Sequence, residues 1–85
     1  MKAFTYTIKD ENGIHARPAG LLVKEAQKFS SSATLTMGEK KGDMKKLFGL
    51  LGLNIKRGDC VTVILEGADE AAAQADLQAF MAQNF

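Results

Sequence analysis

The spacing of the apolar residues switches along the chain between the two-residue period of a strand and the longer period of a helix. Alternation of apolar and polar residues predicts strands over residues 2–8 and 33–37. Helical spacing predicts a first helix over 16–28, which begins after the turn signal at Asn12 and Gly13. The first half of the chain therefore combines both kinds of element.

The second half continues the same switching. A hairpin around Gly38 leads into an edge strand over 39–43, and the apolar segment 47–53 predicts a short helix. The β-branched residues of 60–66 predict another strand. Asp69 is expected to cap a final helix that includes Ala73, Leu77, Phe80 and Met81. The predicted order is βαββαβα.

This order and the chain length predict the fold class. We expect an α+β domain built as a two-layer open-faced sandwich, in which three helices cover one face of a four-stranded antiparallel sheet. At 85 residues, with no linker, internal repeat or low-complexity tract, residues 1–85 are expected to form a single domain. Because so small a domain cannot enclose a deep cavity, its chemistry is expected at the surface.

Composition excludes several classes of protein. Eleven basic and ten acidic residues give a net charge of +1, which argues against nucleic-acid binding. No apolar run approaches the roughly 20 residues needed to cross a bilayer, so we expect no membrane insertion. Cys60 is the only cysteine and the first residues lack the apolar core of a signal peptide, so a cytoplasmic location is expected. Cys60 itself is predicted to be a small buried residue of its strand.

The segment 13–19 contains the residues best suited to chemistry. The only histidine, His15, stands just before a predicted helix start, where the free N–H groups of Ala16 and Arg17 can bind an anion such as phosphate. Neutral imidazole is a nucleophile at physiological pH. The guanidinium of Arg17 can contact two phosphoryl oxygens, and the fixed φ of Pro18 orients the first turn.

The same segment, 13–19, resembles the active-site signature of the HPr family, the histidine-containing phosphocarriers of the bacterial phosphoenolpyruvate-dependent sugar phosphotransferase system. The chain length, the order of elements, the apolar segment 47–53 and the Lys-Arg-Gly-Asp turn at 56–59 also fit this family. The resemblance therefore covers nearly the whole chain.

The resemblance implies a role for each residue of the motif. His15 would accept a phosphoryl group from phosphorylated enzyme I, on its δ1 nitrogen, and donate it to the A domains of sugar-specific permeases. Arg17 would stabilise the phosphoryl group. The protein would then be a phosphoryl-transfer component rather than a free-standing enzyme, with no cofactor and no metal.

The resemblance also implies a partner-binding surface on the first two helices. The residues that match it are Lys24, Leu47, Phe48 and Leu51. A carrier that presents one face to successive partners is expected to be a monomer. In family members from low-GC Gram-positive bacteria, a regulatory serine commonly precedes the position of Leu47, whereas this chain has Lys46, which has no hydroxyl to phosphorylate.

Two other functions remain open at this point. A small hydrolase could use His15 as a base, although the only carboxylates near it in sequence are Asp10 and Glu11. A regulatory adaptor with the same fold could bind metabolic or transcriptional partners without serving sugar uptake, although the motif argues against a passive role.

Overall fold

Four strands and three helices alternate in the order βαββαβα in the computed structural model, which describes residues 1–85. The strands are β1 (Lys2–Thr7), β2 (Ser32–Met37), β3 (Lys40–Asp43) and β4 (Cys60–Glu66), and the helices are α1 (Ala16–Ala26), α2 (Leu47–Leu51) and α3 (Glu70–Asn84). The predicted order is confirmed. Helix α1 ends two residues earlier than predicted, because Lys28 and Phe29 donate to the shorter-range acceptors Glu25 O and Ala26 O.

The four strands form one antiparallel sheet in the order β1-β4-β2-β3. Strand β4 lies at the centre, where Val63 is opposite Phe4 on one side and Leu35 on the other. Strand β3 pairs only with β2, which confirms the predicted edge strand, and it carries Lys40 and Lys41. Such edge charges discourage pairing with a further strand.

All three helices lie on one face of the sheet, as predicted. Helix α3 contacts β1 and β4, and α1 contacts both α2 and α3. The buried side chains of β4 are Val61, Val63 and Leu65, which alternate with residues on the open face. Cys60 belongs to that open face and is exposed, so the prediction of a buried cysteine is wrong. The strand period places Cys60 opposite to Val61.

Asp69 precedes α3, but its carboxylate does not cap the helix as predicted. It instead accepts hydrogen bonds from the backbone N–H groups of Ser30 and Ser31, both at 2.9 Å, and from the Ser31 hydroxyl. The hydroxyl of Ser31 and the N–H of Ser30 lower the pKa of Asp69 to about 2. The carboxylate therefore ties the loop after α1 to the start of α3.

None of the helices has both the length and the apolar character that a membrane span requires.

Candidate functional site

The loop between β1 and α1 is held on both sides by backbone hydrogen bonds. The N–H groups of Lys9 and Asp10 donate to Phe85 O at 2.6 and 2.8 Å, and the Ile14 N–H donates to Ile55 O at 3.1 Å. Gly13 has a φ of +64°, and a side chain there would collide with the backbone of Ile55. Only glycine fits this position without strain, so the approach to the helix is fixed.

His15 is the N-cap residue of α1. Its backbone is extended, its carbonyl accepts the Ala19 N–H at 2.9 Å, and its side chain makes no capping hydrogen bond. The imidazole is 40% exposed and forms no hydrogen bond to the backbone of the helix start. A histidine with this placement is open to a partner on the outside of the molecule.

The first turn of α1 leaves backbone donors unused. Ala16 and Arg17 are exposed, and their N–H groups have no backbone acceptor in the chain. Pro18 contributes no N–H, so it adds no competing donor. With no acidic residue in this turn, the positive end of the helix dipole is not neutralised. The geometry therefore favours an anion beside the imidazole.

Two charged side chains complete the electrostatics around His15. Arg17 is exposed and forms no ion pair, so its guanidinium is available to an incoming anion. Asp10 Oδ1 lies 3.8 Å from His15 Nε2. Sequence reasoning placed Asp10 near the motif without a role, because nothing in the sequence indicates which way a loop side chain turns.

The predicted partner surface lies on α1 and α2, which pack against one another. Phe48 is 83% exposed, Leu47 and Leu51 are half-buried, and Lys24 is exposed on α1. Leu21, which is 50% exposed, was missed. Its spacing of four residues from Arg17 places it on the outer face of α1, and this spacing was the available signal. We call these four apolar side chains the apolar patch: Leu21, Leu47, Phe48 and Leu51.

The lysines near this surface differ in whether their ammonium groups already have a partner within the chain. Lys28 Nζ lies 2.9 Å from Glu25 Oε1, and Lys45 Nζ donates to Phe29 O at 2.7 Å. Lys46 is the exposed N-cap residue of α2. Lys45 therefore has a structural role in addition to its charge.

Comparison with known proteins gives one consistent family. Residues 2–83 match the family model described as PTS HPr component phosphorylation site. The phosphocarrier protein HPr of Mycoplasma genitalium is 41% identical over 85 residues, which cover 99% of this chain and 97% of that protein.

Solved structures agree with this similarity. A Mycoplasma histidine-containing phosphocarrier protein superimposes with a TM-score of 0.93 at 36% identity, covering 96% of this chain and 93% of the other. HPr from Thermoanaerobacter tengcongensis superimposes with a TM-score of 0.94 at 38% identity, covering 100% of this chain and 96% of the other. The predicted open-faced fold is thus the fold of these phosphocarriers.

Proposed function

The chain belongs to the HPr family of phosphocarriers of the phosphotransferase system, and from that premise we propose that His15 accepts a phosphoryl group from phosphorylated enzyme I and donates it to the A domains of sugar permeases. One observation carries the proposal. The only imidazole of the chain stands beside two backbone N–H groups that have no backbone acceptor, at the positive end of a helix.

The transfer uses few groups. The lone pair of His15 Nδ1 attacks phosphorus, and the bond between phosphorus and the donor breaks with its electron pair remaining on the donor. The N–H groups of Ala16 and Arg17 and the Arg17 guanidinium bind the phosphoryl oxygens, whose charge is spread in the transition state. Pro18 holds the first turn. In the donation step, a nucleophilic group of the next acceptor attacks phosphorus, the N–P bond breaks, and its electron pair returns to Nδ1.

Both partners would approach the same side of the molecule, in the cytoplasm. The apolar patch and Lys24 lie on the helix that carries His15 and on the helix beside it. A partner bound there covers Phe48, whose large exposed ring is the best candidate for an anchor. We infer that residues 1–85 act as one monomeric domain in this relay.

We also infer that the relay is not controlled by phosphorylation at the start of α2. Lys46, the N-cap residue of that helix, has no hydroxyl and carries the opposite charge to a phosphoserine. A purely regulatory adaptor would not need the unused donors at the start of α1. Phosphoryl transfer is therefore the preferred function.

The proposal is tested by incubation with phosphoenolpyruvate and the cognate enzyme I, followed by intact-mass analysis at alkaline pH. We expect a single acid-labile phosphoryl adduct on the wild-type protein and none on His15→Ala, whose fold should be unchanged. Normal phosphorylation of His15→Ala would overturn the assignment of the acceptor.

Arg17→Ala should keep the acceptor but slow the transfer by about tenfold or more, because one set of donors to the phosphoryl oxygens is lost. Lys41→Ala, which removes the same charge from edge strand β3, is the matched control and should transfer at the wild-type rate. Equal rates for both variants would exclude a specific role for Arg17.

A further inference from the structure

We propose that Asp10 is a positioning residue for His15: the charge of its carboxylate biases the neutral imidazole toward the form with the proton on Nε2, which leaves Nδ1 free to take the phosphoryl group. This inference rests on the proposed function and assigns a role to a residue outside the motif. The observation behind it is that Asp10 Oδ1 lies 3.8 Å from His15 Nε2.

The position of the Asp10 side chain is fixed by its own loop. Its N–H donates to Phe85 O at 2.8 Å, and its carbonyl accepts the Gly13 N–H at 3.0 Å. Its Oδ1 also accepts the Asn12 N–H at 2.8 Å, which forms a turn closed by the side chain. Backbone and side chain are therefore both held, and the carboxylate stays on the Nε2 side of the ring.

A carboxylate in this place selects one form of the neutral imidazole. A neutral ring carries its proton on one nitrogen only, and an acceptor near Nε2 favours the Nε2–H tautomer. The lone pair then lies on Nδ1. The selection occurs before any donor arrives, so the ring does not have to exchange its proton during the encounter.

The same carboxylate matters during the transfer itself. When the lone pair of Nδ1 forms the bond to phosphorus, the ring keeps its Nε2–H and gains positive charge, while the electron pair of the broken bond remains on the donor. The negative charge of Asp10 offsets the charge that develops at Nε2. When the phosphoryl group leaves, the N–P electron pair returns to Nδ1 and the original tautomer is restored without movement of a proton.

Asp10→Asn removes the negative charge near His15 while keeping a side-chain oxygen for the turn. The asparagine oxygen can still accept the Asn12 N–H, so the loop is expected to keep its shape. The matched control is Glu11→Gln, which removes the adjacent carboxylate, a group that forms no ion pair with His15. If Asp10→Asn disturbs the fold, Asp10→Ser is measured instead, because its hydroxyl oxygen can still accept the Asn12 N–H.

Two readouts are measured on each variant. The tautomer ratio of His15 is obtained from the ¹⁵N shifts of the ring nitrogens at alkaline pH, where the ring is neutral, and the initial rate of phosphorylation is obtained with enzyme I. For Asp10→Asn we expect the ratio of Nε2–H to Nδ1–H to fall about two- to fivefold, the size of an exposed charge interaction, and the rate to fall with it. Glu11→Gln should change neither.

The outcomes separate this inference from the proposed function. An unchanged tautomer ratio in Asp10→Asn would overturn the role of Asp10, while wild-type phosphorylation on His15 would still support the proposed function. Absence of phosphorylation in the wild-type protein would overturn the proposed function, whatever the tautomer ratio. A fall in rate without a change in tautomer would also contradict the positioning role.

Discussion

The two ends of helix α1 are treated differently by the rest of the chain. At the C-terminal end, Lys45 Nζ donates to Phe29 O, and Asp69 accepts hydrogen bonds from the two residues that follow. At the N-terminal end, the N–H groups of Ala16 and Arg17 have no backbone acceptor. Because Ala16 and Arg17 are exposed, water can satisfy these donors in the free protein, and under the proposed function the phosphoryl oxygens take the place of that water.

Openness at this end does not mean that it is mobile. The loop before His15 is fixed where Gly13 packs against the backbone of Ile55, at a positive φ. The two ends therefore differ in whether their backbone groups are hydrogen-bonded, although the neighbouring loop is held in place at each end. Substitutions at Gly13, Asp69 and Asp76 test this difference between the two ends.

Gly13→Ala has the largest expected effect. An alanine there must adopt a positive φ and push against Ile55, so we expect the free energy of unfolding to fall by about 2 kcal/mol or more, measured by denaturant titration. Gly20→Ala is the control within α1, where an added methyl group meets open space. It should raise the free energy of unfolding by about 0.5–1 kcal/mol.

The two glycine variants should also differ in activity. Gly20→Ala should accept the phosphoryl group from enzyme I at the wild-type rate. Gly13→Ala should accept it more slowly, because the loop that leads into His15 is displaced. Wild-type stability and rate in Gly13→Ala would show that the open end does not depend on a rigid approach.

Asp69→Asn tests the hydrogen bonds that follow the C-terminal end of α1, through the pH dependence of the free energy of unfolding. The pKa of Asp69 is lowered from 3.8 to about 2, so its ionised form contributes stability above pH 3.8 that is lost as the pH falls through about 2. The variant should be less stable than the wild type at neutral pH, and the difference should shrink between these two values. Denaturant titrations across this range check it, and a difference that stays constant down to pH 2 would contradict the assignment.

Asp76→Asn should give the smallest effect. Asp76 in α3 faces Glu25 in α1; the neighbouring Glu25 carboxyl group, followed by burial, raises the pKa of Asp76, and its Oδ2 is buried without a hydrogen-bond partner. A raised pKa makes stability fall as the pH rises from 3.8 through the raised value. An amide can donate to Glu25 at every pH, so the variant should gain about 0.5 kcal/mol at neutral pH.

The exposed hairpin variant Glu39→Gln serves as its control. If Asp76→Asn has the stability of the wild type at neutral pH, or is destabilised there, the two carboxyl groups do not oppose each other across α1 and α3.

Much of the fold was predictable because it depends on local periodicity. The β-branched residues of β4 and the helical spacing after Gly13 are patterns of residues close in sequence, and the strand and the helix start that they predicted are confirmed. Cys60 was misplaced because its burial was predicted from its residue type, whereas the alternation of Val61, Val63 and Leu65 places it on the opposite face. Asp69 was misread because its partner Ser31 is 38 residues away, and no local pattern indicates such a pairing.

The functional site divides in the same way. His15 and Arg17 were predicted from a contiguous motif, since a helix start and its free donors can be recognised from a few residues. The approach of Asp10 to His15 was not predictable, because it depends on a loop held by Phe85 from the far end of the sequence.

The most direct test of the open end is a comparison of ¹H–¹⁵N spectra before and after phosphorylation by enzyme I. If the phosphoryl oxygens accept hydrogen bonds from the free N–H groups at the start of α1, the amide resonances of Ala16 and Arg17 should move strongly downfield. Those of Ser30 and Ser31 should stay in place. Phosphorylation that leaves the Ala16 and Arg17 amides unmoved would contradict the account, since the helix end would then not be the binding site of the phosphoryl group.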